Sequence, residues 1–166
     1  MVFTLEPYDS HTYRRKARMI TFIMVGQLLI FGLLFAMLLT ATFGQSLGLN
    51  VLGGILGLLA TSAMFAALRD RPWMQEVGYV WQLKQHLSRI NSHLPALRQA
   101  MQEDNRTALD ILAFYHQGLA QLAEFNGRAP SDDDERQRVN ERREALALPL
   151  QVEQFDPQDL HAFKRG

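Results

Sequence analysis

Five histidines, His11, His86, His93, His116 and His161, are the side chains of this 166-residue chain best suited to acid–base or metal chemistry near neutral pH. Their spacing works against it. His86 and His93 lie seven apart, so on a helix they share a face but stand about 10 Å apart along it, too far to ligate one metal by themselves. No histidine has a His, Asp or Glu four positions away along the same expected helix. His116, beside Tyr115 in "FYHQG", is the one to substitute first, because three of the expected helices converge there.

Other chemistry is harder still to find. The chain has no cysteine, which removes thiol nucleophiles, thiolate metal sites and disulfides together. Gly53, Gly54 and Gly57 sit in an apolar run and not in a phosphate-cradling loop, and there is no nucleophile elbow. The acidic run "SDDDERQRVNERREAL" looks like a metal loop only in composition. Ser131 with Asp134 makes a capping box, while Asp132 with Arg136 and Asp134 with Arg138 form i,i+4 pairs on a solvated helix. The expectation is therefore no catalytic residue, cofactor, metal ligand or small-molecule substrate, and no enzyme. Nucleic acid is also an unsuited partner. Beyond Arg71 eleven basic residues face fourteen acidic ones, with no basic face interleaved with aromatics.

The elements that would have to position such groups fall into two unlike halves. Every residue from Met19 to Leu68 is uncharged, although the whole chain is 20% charged with a net charge of zero. A single helix of about fifty residues would be about 75 Å long against a bilayer core of about 30 Å, so the run must fold back. "TFGQSLGLN" supplies the crease. The reading is a transmembrane helical hairpin over residues 19–68, with spans at 19–43 and 47–68. The first span is too long for the apolar core of a signal peptide and reads as a retained anchor.

Flanking charge sets the orientation. Arg14, Arg15, Lys16 and Arg18 precede the first span, Arg69 and Arg71 follow the second, and the turn carries no Lys or Arg, so both termini are expected in the cytoplasm. Those six cations are the expected contacts to lipid headgroups, with Tyr8, Tyr13 and Trp73 as interfacial rings. Within the hairpin, Gly32, Ala36, Thr40 and Gly44 recur every four residues, as do Gly53, Gly57 and Thr61. Helices in lipid associate through close approach at small residues, so the two stripes are expected to face each other. Pairing with a second copy of the chain uses the same spacing.

Residues 1–18 then form an amino-terminal basic segment and 69–166 a cytosolic helical domain. Asp70 and Pro72 resemble a helix start, and Val80, Leu83, Leu87, Ile90, Leu94, Leu97 and Met101 follow as a heptad seam, with a kink or brief break at Pro95, where Ser92 would cap a restarted helix. A polar turn at "QEDNR" leads to a second helix, with Thr107 and Asp110 as capping box and Asn126–Gly127 as stop. Its apolar face is Ala108, Ile111, Leu112, Tyr115, Leu119, Leu122 and Phe125. These helices suit a small bundle or a coiled-coil-like hairpin. "LALPLQVEQFDPQDLHAFKRG" reads as an extended strap with a short helix started by Asp156; Leu148, Leu150, Val152 and Phe155 would cover an apolar groove on this chain or on a neighbouring copy.

The order of parts, with "TYRRKAR" before a two-span hairpin and "ILAFYHQGLAQL" in the helical tail, resembles small proteobacterial membrane proteins grouped as domain of unknown function 3087. That resemblance implies two spans and a bacterial inner membrane, and brings no catalytic residues. The leading functional reading is an inner-membrane protein, all-α, whose partners are membrane lipid and either another protein or further copies of itself, engaged through the cytosolic helices. Alternatives are a small oligomeric pore or membrane-remodelling protein assembled on the glycine stripes, and an enzyme or metal protein centred on His116.

Overall fold

In the computed structural model, residues 2–68, 71, 74–130 and 134–163 are described. Helix makes up 79% of the described residues, so the all-α expectation holds. The order is β1 (Phe3–Thr4), α1 (Ser10–Phe43), α2 (Leu47–Leu68), α3 (Gln75–Gln102), α4 (Arg106–Phe125), α5 (Asp134–Ala145), β2 (Gln154–Phe155) and a 3-10 turn at Asp159–Phe163. Two compact units divide this order: residues 12–78 form one, and residues up to His11 join those from Tyr79 onward in the other. The boundaries expected from charge and hydropathy lie instead at 18 and 69.

In the first unit α1 and α2 end and begin at the expected residues, 43, 47 and 68. Gly44 makes the crease: its φ of 86° is open to glycine at little cost, and its N–H bonds the Thr40 carbonyl at 3.0 Å to finish α1. At the other end α1 runs back to Ser10, because "SHTYRRKAR" contains no glycine or proline to stop it. The basic cluster thus lies in the second and third turns of a 34-residue helix. Both helices are long and apolar enough to cross a membrane. Their apolar windows are 0% and 17% buried, the reverse of a core helix. Phe22, Met37 and Leu47 are 78%, 71% and 82% exposed.

The second unit has an ordinary interior. All seven seam residues of α3 are buried, together with Tyr79. The helix passes through Pro95 without a break. Ser92 is not a cap: its Oγ donates to the Arg89 carbonyl at 2.7 Å within the helix. Burial of Leu94 and Leu97 on either side of the proline holds the rod in phase against a cost of about 3 kcal/mol. The expected start at Asp70 and Pro72 lies outside the described residues.

Asn105, not Thr107, caps α4; its Oδ1 accepts from the Ala108 N–H at 3.1 Å. Asp110 is consequently free of capping duty and receives the Arg143 guanidinium at 2.5 Å. From Ala108 to Phe114 the helix is buried on nearly all sides, and Leu119 and Leu122 of the expected face are only half-buried. α4 is the central helix. Gly118 lets α3 approach, since a Cβ there would lie 2.8 Å from Leu87 Cδ2.

α5 departs furthest from its expected solvated character. Arg143 is 1% exposed, with Nε donating to the Pro149 carbonyl at 2.8 Å. Arg138 bonds the Asp134 backbone carbonyl at 3.2 Å and not the carboxylate. Ser131 and Asp132, the other members of the expected cap and pairs, lie outside the described residues. The strap folds onto its own chain: Phe155 stacks on Phe114 at 5.2 Å and pairs with Phe3 across an antiparallel two-strand ladder. Asp156 starts the final turn as expected, accepting from the Gln158 N–H at 2.9 Å.

Candidate functional site

Two places bring the singled-out residues together, one in each unit. In the hairpin unit, Gly57 lies against Gly32 and Gly53 against Ala36. A Cβ on Gly57 would sit 2.6 Å from the Gly32 nitrogen, and one on Gly53 2.6 Å from the Ala36 nitrogen. Both obstacles are backbone, so only glycine permits this approach. Gly53, Gly57 and Thr61 are the buried residues of α2. Thr40 and Thr61 return their hydroxyls to the carbonyls of Ala36 and Gly57, each at 2.8 Å. Gly44 takes no part in packing: nothing lies within 4 Å of its Cβ position, and its role is the turn. Gln27 answers its polarity across the hairpin, with Nε2 3.2 Å from Met64 Sδ.

The expected headgroup cations separate by environment. Lys16 is engaged by Glu76, with both carboxylate oxygens 2.7 Å from Nζ. Arg15, Arg18 and Arg71 are exposed, and Arg18 Nε reaches the Arg14 carbonyl at 3.4 Å. Arg14 is half-buried. Arg69 and Trp73 lie outside the described residues. Tyr8 is half-buried and packs 4.9 Å from Tyr79, in the unit that holds the strap. An aromatic at a helix entrance is equally suited to a protein core, and sequence spacing does not distinguish the two.

In the other unit His116 is 5% exposed, and three helices do meet around it. Its Nε2 stands 3.7 Å from Glu135 Oε2 of α5, and Glu135 in turn takes Arg98 of α3 through both oxygens, at 2.5 and 2.9 Å. Beside this triad opens a cleft of about 620 Å³. Its floor is one stripe of α4, Ala113, His116, Gln117 and Gln121, at the spacing that shares a helix face. Arg136, Val139 and Asn140 of α5 make one wall, and residues 5–7 with Leu150, Gln151 and Glu153 of the strap make the other.

Two glutamines one helical turn apart hold the second wall in place. Gln117 donates to the Leu150 carbonyl at 3.0 Å and accepts from the Val152 N–H at 3.2 Å. Gln121 donates to the Glu6 carbonyl at 2.6 Å and accepts the Tyr79 hydroxyl at 2.7 Å. The Tyr79 hydroxyl pKa is raised, chiefly by burial, so it stays protonated and able to donate at any ordinary pH. No group of three or more His, Asp or Glu suited to a metal occurs among the described residues.

His86 stands apart from the cleft, between Phe3 at 4.6 Å and Phe155 at 5.8 Å. Its Nδ1 is buried without a hydrogen bond among the described residues. Burial, followed by the charge of Arg89, lowers its pKa from 6.5. Sequence reasoning had no means to find either this clasp or the glutamine brackets, because both depend on a strand pairing between residues about 150 apart.

A family model described as Protein of unknown function (DUF3087) matches residues 3–160. The chain belongs to that family. No curated protein matches it, and neither does any solved structure. The match begins at β1 and ends in the 3-10 turn, so hairpin, cleft and clasp all lie within the family's extent.

Proposed function

We propose that this member of the DUF3087 family is an integral protein of a bacterial inner membrane, in which α1 and α2 cross the bilayer and anchor a cytoplasmic helical module that engages a protein partner or further copies of the chain. The observation that carries this reading is the inverted hairpin, with glycines inside and Phe22, Leu33 and Met37 turned outward at 66–78% exposure. At roughly 25 cal/mol per Å², that surface is costly in water and costless in hydrocarbon.

Topology draws on a second fact. Residues 3–8, before α1, are built into the same unit as residues 79–163, after α2, by the β1–β2 ladder and the Tyr79 bridge. A chain segment on each side of a two-helix crossing meets the other only if the crossing returns to its starting face. The basic cluster early in α1, opposed to a turn without Lys or Arg, favours the cytoplasm for that face. The pore alternative needs the glycine stripes between copies, whereas Gly53 and Gly57 are occupied within one chain.

Trp81, 60% exposed on α3, is the position from which to seek the partner. A photo-reactive residue there, in cells expressing the chain, should yield a discrete cross-linked species in membranes that withstand an alkaline wash. Recovery of the chain in the washed-off fraction refutes the anchor, and a clean monomer after irradiation refutes the interaction module.

A further inference from the structure

The cleft of the second unit is built and charged in a way that its own packing does not use. The two glutamine brackets spend their amides on holding the strap and residues 5–7 off α5, which keeps a space of about 620 Å³, within the range of small-molecule sites. The walls carry opposite charge. Glu6 and Glu153 belong to adjacent extended segments, since the Leu5 N–H bonds the Glu153 carbonyl at 2.7 Å. Arg136 and Asn140 face them from successive turns of α5. Among the described residues none of these four side chains makes a hydrogen bond or an ion pair, and the carboxylates and the guanidinium do not reach one another. His116 lies in the floor between them, with Nε2 3.7 Å from the Glu135 carboxylate that Arg98 also holds.

We propose that this cleft binds a compound carrying both an ammonium and a carboxylate, of amino-acid to dipeptide size. The ammonium lies between Glu6 and Glu153, and the carboxylate meets Arg136 and Asn140. Two acids against one base on the walls favour a ligand with an additional positive charge. Charged hydrogen bonds of this kind are the strong ones, and a planar guanidinium suits a carboxylate in particular. The site is confined to one unit, so it is independent of whether the hairpin sits in lipid.

The test is calorimetric titration and thermal shift of the full chain in detergent micelles, with the twenty free amino acids and the dipeptide Ala-Lys, its N-acetyl form and its carboxamide as probes. Binding by at least one free zwitterion is expected, with basic ones ahead. N-acetylation and amidation should each weaken Ala-Lys by about tenfold or more. Glu6→Gln with Glu153→Gln should reproduce the first loss, Arg136→Gln the second, and Glu141→Gln, outside the cleft, neither. The blocked dipeptides probe the same contacts without altering the protein, so they decide the matter even if a variant misfolds. Absence of binding by every free probe, or equal binding of free and blocked Ala-Lys, overturns the proposal.

Discussion

The hairpin and the carboxy-terminal unit are made of the same element, yet they are packed in opposite senses. In the first, glycine and threonine face inward and Phe, Leu and Met face out; in the second, Leu83, Ile90, Leu112 and Phe114 are 0% exposed and charges cover the outside. Helix contact in one rests on backbone proximity and in the other on removing apolar area from water. A glycine therefore means different things in the two places. Gly57 meets backbone, whereas Gly118 meets the ends of Leu87 and Leu83 side chains, which can turn away.

The contrast can be broken most forcibly at Arg143. Arg143→Ala removes a buried guanidinium and leaves the Pro149 carbonyl and Asp110 without their donor, so the second unit should lose about 3 kcal/mol, read as a lowered melting temperature in micelles. The hairpin should survive that change. Gly57→Leu should do the converse, forcing α1 and α2 apart at about 1–3 kcal/mol and abolishing cross-links between them, with the second unit's melting unchanged. Asn105→Ala should cost about 1 kcal/mol through loss of the α4 cap.

The same substitution at two glycines should separate the two kinds of packing. Gly118→Ala should stay within about 1 kcal/mol of neutral, because alanine's helix preference offsets a small shift of Leu87. Gly57→Ala should be plainly worse, since the Gly32 backbone cannot yield.

The smallest expected effect concerns His86. Its folded pKa is below the ordinary 6.5, so the unfolded chain takes up the proton first as pH falls. Stability of the second unit should thus be level above that value, decline as pH drops through it, and level again once the folded form is protonated. His86→Phe should flatten that profile, as followed by denaturant melts between pH 5 and 8.

How much of this was legible depended on whether a feature is local. The crease at Gly44, the end of α1 at Phe43, both ends of α2 and the α3 seam follow from periodicity and from the lack of charge, and the structure has them at the expected residues, whereas α1 begins at Ser10, ahead of the uncharged run. Stripe spacing implied that the two rows of small residues face each other, without saying which residue meets which, and it placed Gly44 in the contact when its positive φ gives it to the turn. Thr107 and Asp110 looked like a capping box because the pattern ignores Asn105 two positions earlier, where the chain leaves its turn. Buried Arg143 was hidden by its neighbours: a helix reading "DERQRVNERREA" is charged on every face, and it is the Pro149 carbonyl of the strap together with Asp110 of α4 that compensates the burial of Arg143. The cleft, finally, depends on β1 and β2, two residues each, which no periodicity announces.

A hairpin surrounded by lipid enters and leaves that layer from one face, and the absence of native cysteine makes this directly measurable. Single substitutions Val2→Cys, Ser46→Cys and Arg128→Cys, in sealed vesicles of known orientation, are labelled with a membrane-impermeant maleimide. Positions 2 and 128 should react from the same side and position 46 from the opposite one. Reaction of all three from one side, or of 2 and 128 from different sides, contradicts that arrangement.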